Sequence, residues 1–379
     1  MRFIFISTMQ VSPWGGSEEL WSQAALRLGE QGHEIAASVV WWPQLSPKIL
    51  ELSERKVKLL MRKPPRHGTL PTQAWRLLAR QFGFEKRAVN RLHKRKADLV
   101  VISQGGCLDG LEWMKFCEEN SLPFVSIANM NDEASWPSDE KIARAAIALR
   151  AARKLFFVSR HNLELQECQI GELLPNATVV WNPFNVRVNQ LPAWPNENGA
   201  WKLACVARLE PAAKGQDLLL KVLSQPKWKD RPVEINLYGA GHYERSLRQL
   251  AKNLNLNNVC FRGHVNGVEK IWEENHLLVL PSRCEGLPIV LVESMWCARP
   301  AVVTDVGGNA EVCVDGETGF VATAATVKLL DQALERAWDK RHAWQQMGRA
   351  ARARAEQLIP TDPVGIFCQQ LIECIHMQK

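Results

Sequence analysis

The chain has 379 residues, 46% of them hydrophobic, with ten cysteines and a formal net charge of +7. That length exceeds one ordinary core and suits two domains of about 150 to 200 residues each, and no apolar run reaches the roughly 18 residues of a membrane-spanning helix. The cysteines are scattered, without the short paired spacings of zinc sites or disulfide frameworks, so buried reduced thiols in a cytoplasmic protein are expected, with no metal site and no catalytic cysteine.

The first element, Met1-Arg-Phe-Ile-Phe-Ile-Ser7, is an apolar run of strand length, shorter than a signal-peptide core. Val11-Ser-Pro-Trp-Gly-Gly-Ser-Glu-Glu19 follows, ahead of an amphipathic helical pattern reaching Gln31-Gly-His33. Gly15 and Gly16 at a helix start let another backbone or a phosphate come close, and the free helix amides there favour an anion. No Gly-x-Gly-x-x-Gly follows the first strand of either half, which argues against a nicotinamide dehydrogenase. Further strands are read at Glu34 to Val40, Leu99 to Ser103, Pro123 to Ala128 and Leu155 to Ser159.

Positive charge is concentrated between Glu54 and Lys96, where fourteen Lys or Arg face two acids, leaving the rest of the chain net acidic. Within it, residues 75–96 read as a helix with an apolar stripe through Leu78, Phe82, Val89 and Leu92. Two accounts fit: a surface helix packing that stripe on its own domain, or adsorption to an anionic membrane surface. No nucleic-acid motif accompanies the charge, so no nucleic-acid partner is expected. Trp14, Trp41, Trp42 and Trp136 fall near predicted strand ends, where an aromatic face suits a sugar ring; half-buried core packing is the plainer account.

Residues 181–201 are rich in Asn and Pro without apolar periodicity, the composition of a linker. A second alternating series then runs through Lys202 to Ala207, Val233 to Tyr238, Val259 to Phe261, His276 to Leu280 and Pro300 to Thr304. Helical patterns close the chain at Thr326 to Trp338, Trp344 to Leu358 and Pro363 to Met377. Strands alternating with helices throughout predict an α/β architecture with parallel sheets.

Chemistry concentrates in this second half. After its first strand, Arg208 and then Lys214-Gly215 at a helix start place two cations and free amides at one loop mouth, a means of holding a diphosphate. Glu285 and Glu293 flank the stretch Gly-Leu-Pro-Ile-Val-Leu-Val, with Glu285 in the loop leaving a buried strand and Pro288 opening a helix. In an open parallel sheet ligands bind outside the carboxyl ends of strands, so both carboxylates are placed to bind hydroxyls. Tyr238-Gly-Ala-Gly241 and Phe261-Arg-Gly-His-Val265 end two further strands, each also readable as a plain strand-to-helix turn.

The Glu285–Glu293 spacing with its Glu-Gly-Leu-Pro opening resembles the signature of the retaining nucleotide-sugar glycosyltransferases of family 4, the group 1 type. The Arg-Leu and Lys-Gly of the first loop, Gly239, the His264-Val265 turn, Thr304-Asp-Val-Gly-Gly-Asn-Ala-Glu311 and Asp315-Gly-Glu-Thr-Gly-Phe320 match that family in order from Ala204 to Val321. The first half matches loosely, through the glycine loop at Gly15 and Gly16. The loop carrying Lys214 is one residue longer than the common family form. Asn129 stands where many members end a strand in histidine; it can donate and accept hydrogen bonds to a sugar hydroxyl without carrying charge.

The resemblance implies a GT-B fold of two Rossmann-like domains with parallel sheets facing across a cleft. Residues 1–185 would form the acceptor domain with 360–379 packing back on it, 186–200 the linker, and 201–359 the nucleotide-sugar donor domain. It implies that Glu293 holds the ribose hydroxyls and Glu285 those of the donor sugar. Gly286, Leu287 and Pro288 would approach sugar and phosphate with backbone, Gly239, His264 and Val265 would lie at the nucleotide, and Gly16 would meet the donor. Arg208 and Lys214 would stabilise the departing diphosphate in place of a metal, in keeping with the lack of any Asp-x-Asp. Trp14, Gly15, Asn129 and Trp136 are the acceptor-side candidates. The expected activity is retaining transfer from a nucleoside-diphosphate sugar to a carbohydrate or lipid-linked acceptor in surface glycan synthesis, in the cytoplasm or on the inner membrane face. A nucleotide-sugar epimerase of the same fold and a catalytically inactive sugar-binding protein are the alternatives.

Overall fold

The computed structural model describes residues 1–10, 12–62, 97–196, 199–265 and 267–377. The basic segment 75–96, with its predicted helix, lies outside the described residues. The chain forms two compact units, Met1–Pro183 with Asp362–Lys379, and Phe184–Thr361.

The first unit has a seven-stranded sheet built from β1 (Arg2–Ser7), β2 (Glu34–Val40), β3 (Lys58–Arg62), β4 (Leu99–Gln104), β5 (Phe124–Ala128), β6 (Lys154–Phe157) and β7 (Ala177–Val179). Its order is β3-β2-β1-β4-β5-β6-β7 with every pairing parallel. Helices cover both faces of such a sheet, so its central strands can be apolar without alternation, and Phe3, Ile4, Phe5 and Ile6 are all buried. The last helix, Pro363–His376, opens with the Asp362 carboxylate accepting from Gly365 N. It sets Val364, Phe367, Leu371 and Cys374 into this unit's core, with Phe367 edge-on to Phe156 at 5.0 Å.

The second unit repeats the plan with β8 (Trp201–Val206), β9 (Val233–Tyr238), β10 (Val259–Gly263), β11 (Leu277–Leu280), β12 (Ala301–Thr304) and β13 (Gly319–Ala322). The order β10-β9-β8-β11-β12-β13, all parallel, is the doubly wound arrangement. Two Rossmann-like units with parallel sheets are thus the α/β architecture expected from the alternating pattern. Most tryptophans serve these cores: Trp21, Trp228, Trp272, Trp296 and Trp344 are buried, and Trp201 packs edge-on to Trp344 at 5.1 Å.

Three strands escape the sequence reading, β3, β7 and β13. β3 and β7 are the two edges of the first sheet, and their half-exposed residues break the apolar run that marks a buried strand. Residues 186–196 are not a free connector. Arg352 Nη2 donates to Val188 O at 2.7 Å and the buried Arg299 donates through Nη2 to Ala193 O at 2.5 Å, so backbone carbonyls strap them onto the second unit.

Candidate functional site

In each sheet the chain winds outward in opposite directions from two adjacent central strands, β1 and β4 in the first unit, β8 and β11 in the second. The loops leaving the carboxyl ends of such strands diverge and open a crevice, the usual place for a ligand in this architecture.

In the second unit these loops are knit together by backbone. Gly215, at φ +63°, lies against β11's exit, where an added Cβ would sit 1.8 Å from Pro281 O. Gly239, at φ +120°, abuts Ala207 O in the same way, and Gly307 abuts the carbonyls of Glu285 and Gly286. Gly239 N donates to Gly263 O at 2.8 Å and Gly308 N to Gly286 O at 2.6 Å. The exits of β8, β9, β10, β11 and β12 therefore form one continuous rim, and that rim carries Arg208, Lys214, Gly239, His264, Val265, Glu285 and Gly286.

Lys214 ends the short helix Pro211–Lys214, and its Nζ donates to both carboxylate oxygens of Glu285 at 2.8 Å. Ser282 Oγ adds a third donor to Glu285 Oε1 at 2.7 Å, and Thr304 Oγ1 donates to Ser282 O at 2.6 Å. Glu285 is buried, so an ionised carboxylate there needs these partners. Arg208 pairs with Glu210 at 3.1 Å with its side chain 42% exposed. Both cations expected at a diphosphate are thus neutralised by carboxylates in this structure.

Arg283 was not singled out in the sequence and explains why Lys214 is held in place. Its guanidinium takes Asp217 with both nitrogens, at 2.7 and 2.9 Å, and donates to Pro211 O at 2.6 Å. Burial pushes the Asp217 carboxyl up, and the Arg283 pair more than offsets this, holding it below its usual value. The ion pair staples the Lys214 loop to the Glu285 loop. Leu287 and Pro288 are buried, and Pro288 is the cap of the helix Ile289–Trp296. Glu293 is buried in that helix, and its Oε1 accepts from Asn185 N at 2.9 Å and Asn185 Nδ2 at 3.0 Å. His264 is exposed and Val265 half-buried. Burial pushes the thiol of Cys205, in β8, up to about 12.

The first unit's crevice is lined differently. Asn129 Nδ2 donates to Gln104 O at 2.8 Å and to Ser103 Oγ at 3.2 Å, and Ser103 Oγ donates to Ser17 O at 3.2 Å. Ser103 thereby joins Asn129 to the turn through Gly15 and Gly16. Asn129 Oδ1 is buried and accepts no hydrogen bond among the described residues. Gly16 starts a short 3-10 turn and is exposed; it belongs to the first unit, whereas the other donor-side candidates belong to the second. Trp14 is half-buried and its Nε1 donates to Glu19 Oε1 at 2.8 Å, so its polar edge is spent inside the unit. Trp136 is 58% exposed in the loop after β5.

Glu18 is the group the sequence did not flag. An acid in the first turn of a helix is unremarkable by composition, since it suits the helix dipole. Here it is buried, and burial raises its carboxyl from 4.5 to about 7 against the opposing hydrogen bond from Ser7 Oγ at 3.0 Å and the charge of Arg62.

Residues 188–354 match the profile of the family described as "Glycosyl transferases group 1". The chain is 33% identical over 150 residues to the D-rhamnosyltransferase WbpZ of Pseudomonas aeruginosa, covering 38% of either chain. It is 29% identical over 223 residues to the GDP-mannose-dependent monoacylated alpha-(1-6)-phosphatidylinositol monomannoside mannosyltransferase of Corynebacterium glutamicum, covering 53% of this chain and 57% of that one. These matches span about two fifths to three fifths of the relatives' length. A solved structure, Anabaena Alr3699/HepE in complex with UDP and glucose, superposes with a TM-score of 0.74 at 19% identity, over 99% of both chains. That likeness is one of fold, which is GT-B.

Proposed function

From the premise that residues 188–354 belong to the group 1 glycosyltransferases, we propose that this chain is a retaining, metal-independent glycosyltransferase. It moves a sugar from a nucleoside-diphosphate donor held by the second unit to a carbohydrate or lipid-linked acceptor held by the first, in the synthesis of a surface glycan. The observation that carries this reading is the Lys214–Glu285 pair beside Ser282, set at the β8/β11 switch point of a doubly wound sheet.

The resting ion pair suggests how the site accepts its donor without a large electrostatic cost. A diphosphate takes the Lys214 ammonium from Glu285, and the released carboxylate accepts hydroxyls of the donor sugar. Arg208 exchanges Glu210 for phosphate in the same way. The bond from the anomeric carbon to the phosphate oxygen then lengthens, and negative charge grows on the diphosphate. Arg208 and Lys214 hold that charge more strongly in the transition state than in the ground state, which is what lowers the barrier. Attack from the same face, with the leaving phosphate oxygen taking the acceptor's proton, retains configuration without an enzymic nucleophile. Glu293 holds the ribose hydroxyls, Gly239, His264 and Val265 lie beside the nucleotide, and Asn129 with Trp136 receives the acceptor. No helix among the described residues is long and apolar enough to cross a membrane; a lipid-linked acceptor is reached from the cytoplasmic face by adsorption of the basic segment 75–96 to anionic lipid.

The relatives named above act with GDP-mannose in one case and the neighbour holds UDP in another, so the base is the first thing to measure. Thermal unfolding with UDP, GDP and ADP, without metal, is expected to show one diphosphate raising the midpoint, with the rise lost in Lys214→Ala and Glu293→Ala. Indifference to all three diphosphates in folded wild-type protein removes the reading.

A further inference from the structure

A cavity of about 240 Å³ opens in the first unit between the starts of the helices Leu111–Glu119 and Asp139–Ala151, with Leu108, Asp109, Glu112, Ser138, Lys141 and Arg144 in its wall. These helices follow β4 and β5, so the cavity stands at the same end of the sheet as Asn129. The two loops that wall it are joined at backbone, Cys107 N donating to Met130 O at 2.8 Å. Gln104 ties them to Asn129: its carbonyl accepts Asn129 Nδ2 at 2.8 Å, and its side-chain Oε1 accepts Gly110 N at 3.1 Å.

The turn that presents Asp109 is held tightly. Leu108 has φ +66°, a region that non-glycine residues seldom adopt, and its side chain is buried. Asp109 Oδ2 accepts Gly106 N at 2.8 Å. Desolvation raises the Asp109 carboxyl above its ordinary value, opposed by that bond and by the charge of Lys141. Lys141 forms no ion pair among the described residues, whereas Arg144 and Glu112 pair with each other between the two helices. A carboxylate and an ammonium that feel each other without touching leave room for groups able to donate to one and accept from the other. Neighbouring sugar hydroxyls do both.

Charge selects against other occupants. Asp109, Glu112 and Glu140 face Lys141 and Arg144 in the wall, and an excess of acids over bases disfavours a phosphate or carboxylate. Trp136, 58% exposed, precedes Ser138 by two residues and brings an aromatic face to the same loop, as suits a sugar ring.

We infer that this cavity is a second sugar subsite: it holds the acceptor residue beyond the one at Asn129 and reads two neighbouring hydroxyls with Asp109 and Lys141. The inference rests on the proposed glycosyl transfer and deepens it, because the acceptor is then a glycan of at least two sugars, not a single sugar on a carrier.

The test uses the full chain and, as probes, the methyl glycosides of mannose, rhamnose, glucose and galactose, with inorganic phosphate as the anionic control. Binding is read by saturation-transfer NMR and titrated for wild type, Asp109→Asn and Lys141→Met. Asparagine at 109 can still accept Gly106 N, and methionine at 141 keeps the apolar stem, so both variants retain the turn and the helix. At least one glycoside is expected to bind wild type and to weaken about tenfold in each variant, the scale of a hydrogen bond to a charged group. The 2- or 3-deoxy form of that glycoside is expected to bind wild type as weakly as the parent binds the variants. The stabilising nucleoside diphosphate is expected to bind all three proteins alike.

No saturation transfer from any glycoside to wild type would overturn the inference. So would a glycoside that binds both variants as it binds wild type, which would place the sugar outside the cavity, or phosphate displacing the glycoside from wild type, which would make the cavity an anion site. Each of these leaves the transferase reading intact as long as the diphosphate binds; a wild-type chain that binds no diphosphate removes that reading and the subsite with it.

Discussion

In the second unit the loops leaving β8 and β11 carry ion pairs: Lys214 with Glu285, Arg208 with Glu210, Arg283 with Asp217. In the first unit the turn after β1 and the ends of β4 and β5 bring hydroxyls and amides together, with Ser103 between Asn129 and Ser17 and the buried Glu18 on Ser7, and the nearest ion pair, Lys48 with Glu19, lies in the helix beyond that turn. One sheet plan thus holds two chemistries. Exchangeable ion pairs suit a ligand that brings its own charge, whereas neutral donors and acceptors suit a ligand made of hydroxyls. The difference lies in a handful of loop residues, because the parallel sheets beneath need only apolar strands and set no condition on what their exits carry.

The sharpest way to break this comparison is through backbone. Gly215 and Gly32 both have positive φ, at +63° and +85°, but an added Cβ meets Pro281 O at 1.8 Å in the first case and nothing within 4 Å in the second. Gly32→Ala is expected to cost about 1 kcal/mol, the conformational term alone. Gly215→Ala must also separate the Lys214 loop from β11, and a loss of about 3 kcal/mol or more is expected, with donor binding abolished. Unfolding midpoints of the two variants check this, and equal losses would show that the rim is not close-packed. Next comes charge. Lys214→Ala removes the cation facing the diphosphate and leaves Glu285 buried without its partner. A fall in kcat of about 100- to 1,000-fold is expected, the range for loss of one preorganised donor, with a smaller fall for the more exposed Arg208→Ala. Steady-state kinetics with the stabilising nucleotide sugar decide it.

The first unit is sharpened by pH. Folding raises the Glu18 carboxyl from 4.5 to about 7. Between those values the folded chain keeps a proton that the unfolded chain has lost, so this group's contribution is full below the unfolded value and declines as pH rises. The slope is about 1.4 kcal/mol per pH unit, or about 3 kcal/mol across the window. Glu18→Gln cannot ionise and is expected to flatten this part of the stability profile and to be the more stable protein at pH 8. An unchanged slope in the variant would place the titration elsewhere.

These contrasts divide along what sequence can express. The strands Arg2–Ser7, Glu34–Val40 and Val233–Tyr238 are readable to the residue because apolar residues fill most of each run, as burial on both faces requires. Lys214 and Glu285 were readable as candidates because charged residues at strand exits stand out against such runs, and Glu293 was readable by its spacing from Glu285. Asn185 and Glu18 were not. Asn185 sits in a stretch whose Asn and Pro content is that of any linker, and its partner is 108 residues away. Glu18 looks like a helix-dipole acid until the packing of Ser7 and Arg62 around it is known. Ser282 and Arg283 fall between: they lie beside Glu285 in sequence, yet only the fold brings Thr304 and Asp217 to them.

The smallest effect is expected at Trp136, and it separates acceptor recognition from stability. Its side chain is 58% exposed after β5, so Trp136→Ala should change stability by less than about 0.5 kcal/mol. If its ring stacks on the acceptor, the acceptor KM rises by about three- to tenfold, the scale of one aromatic contact, while the donor KM stays fixed. Asn129→Ala is the internal control. That amide holds Gln104 and Ser103 together, so its loss is expected to lower both stability and acceptor use. A Trp136→Ala enzyme with both KM values unchanged would take the acceptor off this ring and leave Asn129, with its open Oδ1, among the first unit's remaining contacts.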